Sequence, residues 1–112
     1  MSKELKLDVM NNKNDLIEGT FCYSLFERSF FDEKLLSDLI NNSEAFLKEN
    51  ECDKDVLNLL SWIVNGVDQC FTSHNDENDY YLIENYSVAL ETLENRWVFL
   101  WRSKIDKIIG GN

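Results

Sequence analysis

Proline is absent from this 112-residue chain, and glycine occurs only four times. Few residues therefore force the backbone to turn, which favours long helices over a turn-rich β-fold. Histidine occurs once, at His74. A single histidine excludes the paired Glu-x-x-His motifs of a helical di-metal site and weakens any zinc reading. The three cysteines, Cys22, Cys52 and Cys70, never stand as Cys-x-x-Cys. That odd count argues against a disulfide framework and against a zinc knuckle. No apolar run approaches the ~18–20 residues of a membrane span. The opening MSKELKLDVMNNKND has no apolar core or cleavage site of a secretory signal, so a reducing cytoplasm is the expected compartment.

Positive charge is missing from the middle of the chain. The net charge is −10, and residues 51–95 carry one basic side chain, Lys54, against ten acidic ones. Such a segment repels nucleic-acid phosphates and attracts cations or a basic protein. It also serves solubility as a plain solvated face. Residues 96–112 hold four basic side chains and one acidic. Arg102, Lys104 and Lys107 complement a helix C-terminus there, so a nucleic-acid site is not required to explain them.

What the chain does contain is helical periodicity. Hydrophobic residues make up 44% of it, enough for one cored domain spanning residues 1–112. Residues 1–19 read as a mobile lead-in, with LKLDV either a strand or a frayed helix. Phe21, Leu25 and Phe26 fit a short helix over about 20–27. Ser29 followed by Asp32 reads as a helix start of capping-box type, opening a helix over about 30–49 that Asn41-Asn42-Ser43 threatens to interrupt. Asp53 is a good N-cap for the most apolar segment, whose face is Val56, Leu57, Leu60, Ile63, Val64, Val67 and Phe71. Gly66 inside it costs roughly 1 kcal/mol against alanine, which a close helix crossing would explain. Ser87 can cap a last long helix with the stripe Leu90, Leu93, Trp97, Leu100, Trp101, Ile105 and Ile108, ended by Gly110 and Gly111. The expected fold is all-α, a small antiparallel helical bundle of three long helices plus one or two short ones.

One stretch resists this pattern: HNDENDYY, His74 to Tyr81. As an EF-hand it fails. From Asp76 the fifth, sixth and twelfth positions are Tyr80, Tyr81 and Ser87, where oxygen ligands, a glycine and a glutamate are needed. As a nucleophilic site it offers Cys70 with His74 four residues on, but Cys70 reads as a core thiol and His74 as a cationic C-cap of its helix. No glycine-rich phosphate loop is present, and no carboxylate pair stands out. No catalytic residue, metal ligand or cofactor is therefore assigned, and the protein is not expected to be an enzyme. Tyr80 and Tyr81, rings with a polar handle beside an acidic loop, fit interface anchors.

Two blocks carry a family resemblance: FERSFFD, Phe26 to Asp32, and FTSHNDENDYYLI, Phe71 to Ile83. Their residues Phe26, Glu27, Arg28, Phe30 and Asp32, then Phe71, His74, Asp76, Asn78 and Asp79, resemble a family of small acidic helical immunity proteins. These belong to bacterial contact-dependent growth inhibition and related polymorphic toxin systems. The resemblance spans residues 26–83 and leaves out the first 20 residues and the C-terminal helix. It implies a cytoplasmic antitoxin that binds one cognate toxin domain one-to-one. The toxin is usually a nuclease, and a ribonuclease is the first expectation. Part of the motif also reads as fold-holding, with Glu27 beside Arg28 and Asp79 as a cap. The expected partner surface is Asp76, Glu77, Asp79, Tyr80, Tyr81 and Glu84, with Asp53, Asp55 and Asp68 as a second acidic group. The rival reading is an acidic adaptor or DNA-mimic regulator of a host nucleic-acid-binding protein. Neither reading involves direct nucleic-acid or membrane binding, and the free protein is expected to be a monomer.

Overall fold

The computed structural model describes residues 2–14, 16–50, 53–88 and 91–110. Helix α1 is Ser2–Met10 and runs into a 3-10 turn, Asn11–Lys13. A π-helical turn follows at Tyr23–Glu27. Helix α2 is Glu33–Glu49 and α3 is Lys54–Asn75. A two-residue antiparallel pair, β1 (Ser87–Val88) and β2 (Glu91–Thr92), precedes the C-terminal helical run. That run is α4 (Leu93–Arg96), a π segment (Trp97–Trp101) and α5 (Arg102–Gly110), joined without a break in right-handed conformation. The fold is all-α apart from the small pair. Among the described residues no helix is long and apolar enough to cross a membrane.

The N-terminal segment is helix rather than strand. Val9 is buried, and α1 packs on α2 and more lightly on α3. Lys6 ties it down further. Its Nζ donates to Asp53 Oδ2 at 2.9 Å and to Asp55 Oδ2 at 3.2 Å. Asp53 meanwhile caps α3, accepting from the Val56 N–H. Donating to Asp53 and Asp55 pushes the Lys6 ammonium up, and accepting from Lys6 holds the Asp53 carboxyl below its usual range.

Helix α2 begins later than the sequence suggests. Asp32, not Ser29, is its N-cap, accepting from the Leu35 N–H at 3.1 Å. A cap needs extended backbone, and Ser29 sits at φ 57°, in the left-handed region that turns the chain out of the preceding π turn. The Asn-Asn-Ser stretch does not break α2. Ser43 is fully buried, and its hydroxyl donates back to the Leu39 carbonyl at 2.8 Å, which satisfies it inside the helix.

Gly66 is explained by a ring rather than by a helix crossing. A Cβ there would lie 2.9 Å from Phe26 Cζ. Phe26 also meets Trp62 edge-on, with centroids 5.8 Å apart. The notch left by the missing side chain is where the π turn docks on α3.

The C-terminal run shows why a π segment forms. Four of its buried residues, Leu93, Trp97, Trp101 and Ile105, repeat every four positions, before Ile108 closes the run. In an α-helix each such step overshoots one turn by ~40°, so three steps drift by ~120°. A π bulge inserts a residue and takes back ~100°, which keeps all four on the core. Leu100, expected on the inner stripe, is turned partly outward by this shift, and Phe99 is 78% exposed. The helix start expected at Ser87 is replaced by the β1–β2 pair, and Thr92 is the cap, accepting from the Asn95 N–H. Leu90 and Gly111, named in the expected stripe and its ending, lie outside the described residues.

Glu33 fastens the start of α2 to the C-terminal run. It accepts from Arg96 Nε at 2.6 Å and Nη2 at 2.9 Å, and from the Trp101 indole at 3.1 Å. Burial pushes the Glu33 carboxyl up, but the Arg96 and Trp101 hydrogen bonds outweigh it and hold the group below its ordinary 4.5. A depressed folded-state pKa contributes stability that is complete above the unfolded value and lost as pH falls through the folded one. The wild type is therefore expected to lose stability steeply below pH ~4.5, and Glu33→Gln to show a flatter profile there. Urea midpoints measured from pH 3 to 7 check this, and parallel profiles would remove Glu33 from the acid response.

Candidate functional site

The segment after α3 is built by side chains that bond to their own backbone. Asn75 ends the helix by donating from Nδ2 to the Phe71 carbonyl at 2.8 Å and to Glu94 Oε1 at 3.1 Å. Asp76 then accepts the Asn78 N–H at 2.9 Å, and Asp79 accepts the Tyr81 N–H at 2.9 Å. Two successive Asx turns of this kind shape an otherwise exposed loop. Asp76, Glu77, Asn78 and Asp79 all lie open to solvent, and Tyr80 is 100% exposed.

Beyond the loop residues 80–83 form neither helix nor turn, and their exposure alternates. Tyr80 and Leu82 point out, the latter 59% exposed. Tyr81 and Ile83 point in. The Tyr81 hydroxyl donates to the Leu25 carbonyl at 2.7 Å, and Ile83 is buried. Tyr81 is thus a peg into the protein's own π turn, unlike its fully exposed neighbour Tyr80. Burial pushes its hydroxyl up, with the Cys70 thiol adding to the shift. Burial likewise raises Cys70, which keeps the thiol protonated and a poor nucleophile.

His74 is not a cationic cap. Its Nδ1 accepts the Ile83 N–H at 2.9 Å, and its ring stacks on Tyr86 at 4.1 Å and 13°. An accepting Nδ1 carries a lone pair, so a proton there would break the bond. His74→Ala is expected to cost ~1–3 kcal/mol, because it orphans a part-buried N–H and removes the stack. The check is a urea melt together with amide exchange at Ile83. Unchanged protection of that amide would mean the bond is not formed in solution.

The two sequence blocks singled out above meet in space. Besides the Tyr81 bond, the Glu84 N–H donates to the Ser29 carbonyl at 2.8 Å. Asn85 closes a two-way clasp on Phe31, accepting its N–H and donating to its carbonyl, both at 2.9 Å. Phe31 in turn packs on Phe21, Phe71 and Trp97. The brace between the π turn and the segment after α3 is therefore made mostly by residues beside the resemblance positions, of which Phe71 alone joins it by packing on Phe31.

The second acidic group is largely occupied. Asp68 accepts the Trp97 indole N–H at 2.8 Å and faces Arg102 at 3.4 Å. Asp53 is held by its cap and by Lys6, and Asp55 shares that lysine while staying exposed. Within the expected partner surface the acids with no such duty are Glu77 and Glu84, while Asp76 and Asp79 each use one oxygen locally. Glu84 also lines an open cleft with Glu18, Tyr23, Arg28, Phe30 and Leu35. Sequence reading missed Leu82 and Phe30 as exposed apolar residues. For Leu82 the signal was the short alternation through residues 80–83. Among the described residues no group of three or more His, Cys, Asp or Glu side chains is placed to hold a metal ion.

No protein-family model, curated protein or solved structure matches this chain.

Proposed function

We propose that the protein is an immunity protein, an antitoxin that binds a cognate nuclease toxin domain one-to-one and covers its basic active-site cleft. A ribonuclease is the preferred toxin. In this reading the protein is a cytoplasmic monomer until the toxin arrives and has no catalysis of its own. Helices α2 and α3 and the C-terminal run serve as an antiparallel three-helix scaffold for the loop.

The observation that carries the reading is the contrast between occupied and open acids. Asp53 and Asp68 are committed to holding helices together, whereas residues 76–80 are exposed on a loop anchored at both ends. A nuclease cleft is basic because it must hold phosphates, and an acidic loop offers it the complementary field. Such fields raise association rates toward 10⁸–10⁹ M⁻¹s⁻¹ at low salt, and speed suits an antitoxin because free toxin keeps cutting. Tyr80 is the aromatic anchor of the proposed interface, with Asp76, Glu77, Asp79 and Glu84 meeting lysines and arginines. Asp55 is the one member of the second acidic group that remains well exposed.

The test is co-expression with the toxin C-terminal domain from the adjacent gene, followed by a pull-down from the source lysate. A one-to-one complex with a basic nuclease domain and loss of its activity is the expected result. Capture of a housekeeping nucleic-acid-binding protein instead would replace this reading with that of an acidic DNA-mimic regulator.

A further inference from the structure

Between the acidic loop and the brace, the stretch Tyr80–Ile83 has one lateral side closed and the other open at Tyr80 and Leu82, up to Glu84, whose N–H is taken by the Ser29 carbonyl. In an extended chain the N–H groups of successive residues point to opposite sides. Those of Tyr81 and Ile83 are taken by Asp79 Oδ1 and His74 Nδ1. Those of Tyr80 and Leu82, among the described residues, donate to no protein acceptor. The same two residues carry the outward side chains. This arrangement is an unpaired strand edge, short and presented on a braced segment.

Natural edges are commonly guarded against pairing by lysine, proline or a covering element. Here the chain has no proline at all and no lysine or arginine from 55 to 95. The flanks are acidic instead: Asp76, Glu77 and Asp79 before the edge, Glu84 after it. Two copies of an edge so flanked repel each other, while a basic strand is drawn in. We infer that the open edge of Tyr80–Leu82 is a strand-addition site for an extended, basic segment of a protein partner. The partner's backbone pairs with Tyr80 and Leu82, its apolar side chains pack on the tyrosine ring and Leu82, and its alternating lysines or arginines meet the flanking carboxylates. This deepens the antitoxin reading and rests on it for the partner's identity, the added strand then belonging to the toxin domain.

The experiment titrates the full chain with a capped heptapeptide of alternating lysine and valine, with the glutamate–valine peptide as control, read by amide chemical shifts and amide exchange. At millimolar lysine–valine peptide the shifts are expected to cluster at residues 79–84. Exchange at Tyr80 and Leu82 is expected to slow by ~10-fold, as newly bonded amides do. Leu82→Pro removes the N–H without disturbing an internal bond and is expected to abolish the shifts, while Leu82→Ala keeps them reduced. Equal effects of the glutamate–valine peptide, shifts elsewhere, or full binding by Leu82→Pro would overturn the inference. So would concentration-dependent shifts of these amides without peptide, since the edge would then pair with a second copy. The same amides followed in the toxin complex separate the two claims. A complex in which Tyr80 and Leu82 still exchange freely removes the edge and leaves the antitoxin reading intact. Binding of the lysine–valine peptide at the edge without any toxin complex does the reverse.

Discussion

Replacing Trp97 with alanine is expected to destabilise the protein by ~3–5 kcal/mol. The side chain is 1% exposed and lies against Phe31, whose own ring touches Phe21 and Phe71. Its removal opens a cavity at the point where the C-terminal run meets the brace. It also leaves Asp68 without the indole N–H it accepts at 2.8 Å. Domains of this size have only ~5–15 kcal/mol of stability to lose. A large drop in the melting temperature or outright unfolding follows, with each kcal/mol worth roughly 4 °C. Trp97→Phe separates the two contributions. It keeps most of the ring and loses the hydrogen bond, for an expected cost of ~1–2 kcal/mol. In the Trp97→Phe background, Asp68→Ala should cost less than it does in the wild type, and the difference measures the bond. Equilibrium urea unfolding reads the wild type and all four variants. A Trp97→Ala variant within ~1 kcal/mol of wild type would mean that the C-terminal run is not part of the cooperative core.

Neutralising the acidic loop should act on kinetics and spare the fold. In Asp76→Asn/Glu77→Gln/Asp79→Asn the two asparagines keep the Oδ1 acceptors that form the Asx turns, and all three side chains are exposed. The stability change is therefore expected within ~0.5 kcal/mol. Association with the cognate toxin domain at low salt should slow by ~10-fold or more, because steering depends on summed charge. The deficit should shrink as salt approaches 1 M, where the Debye length is ~3 Å. Stopped-flow association over a salt series reads both effects. A rate unchanged at low salt would place the toxin contact on another face. The contrasting variant is Asp53→Ala, which removes a helix cap and one of the two partners of Lys6 and so should lower stability.

The sequence alone determined the all-α class. It also determined the long α3 helix with its Asp53 cap, the buried face from Val56 to Phe71, and the exposure of the loop after it. Each of these follows from local rules: apolar spacing, one capping residue, and a run of polar residues too dense to bury. Tertiary structure decided the rest, because the deciding partners lie far away along the chain. Tyr80 and Tyr81 are adjacent and chemically identical, yet only the second finds a carbonyl, at Leu25, in the π turn fifty-six positions earlier. Asp68 looks like any surface acid until Trp97 and Arg102 close on it. His74 looked like a cation at a helix end, but the incoming Ile83 N–H requires it to accept. The π segment reflects a four-residue repeat that an ordinary α-helix cannot keep on one face, and the core, not the local propensity, makes the chain keep it. Sequence spacing shows which residues share a face. Which of them are already engaged, and which remain open to a partner, depends on contacts that only the folded chain brings together.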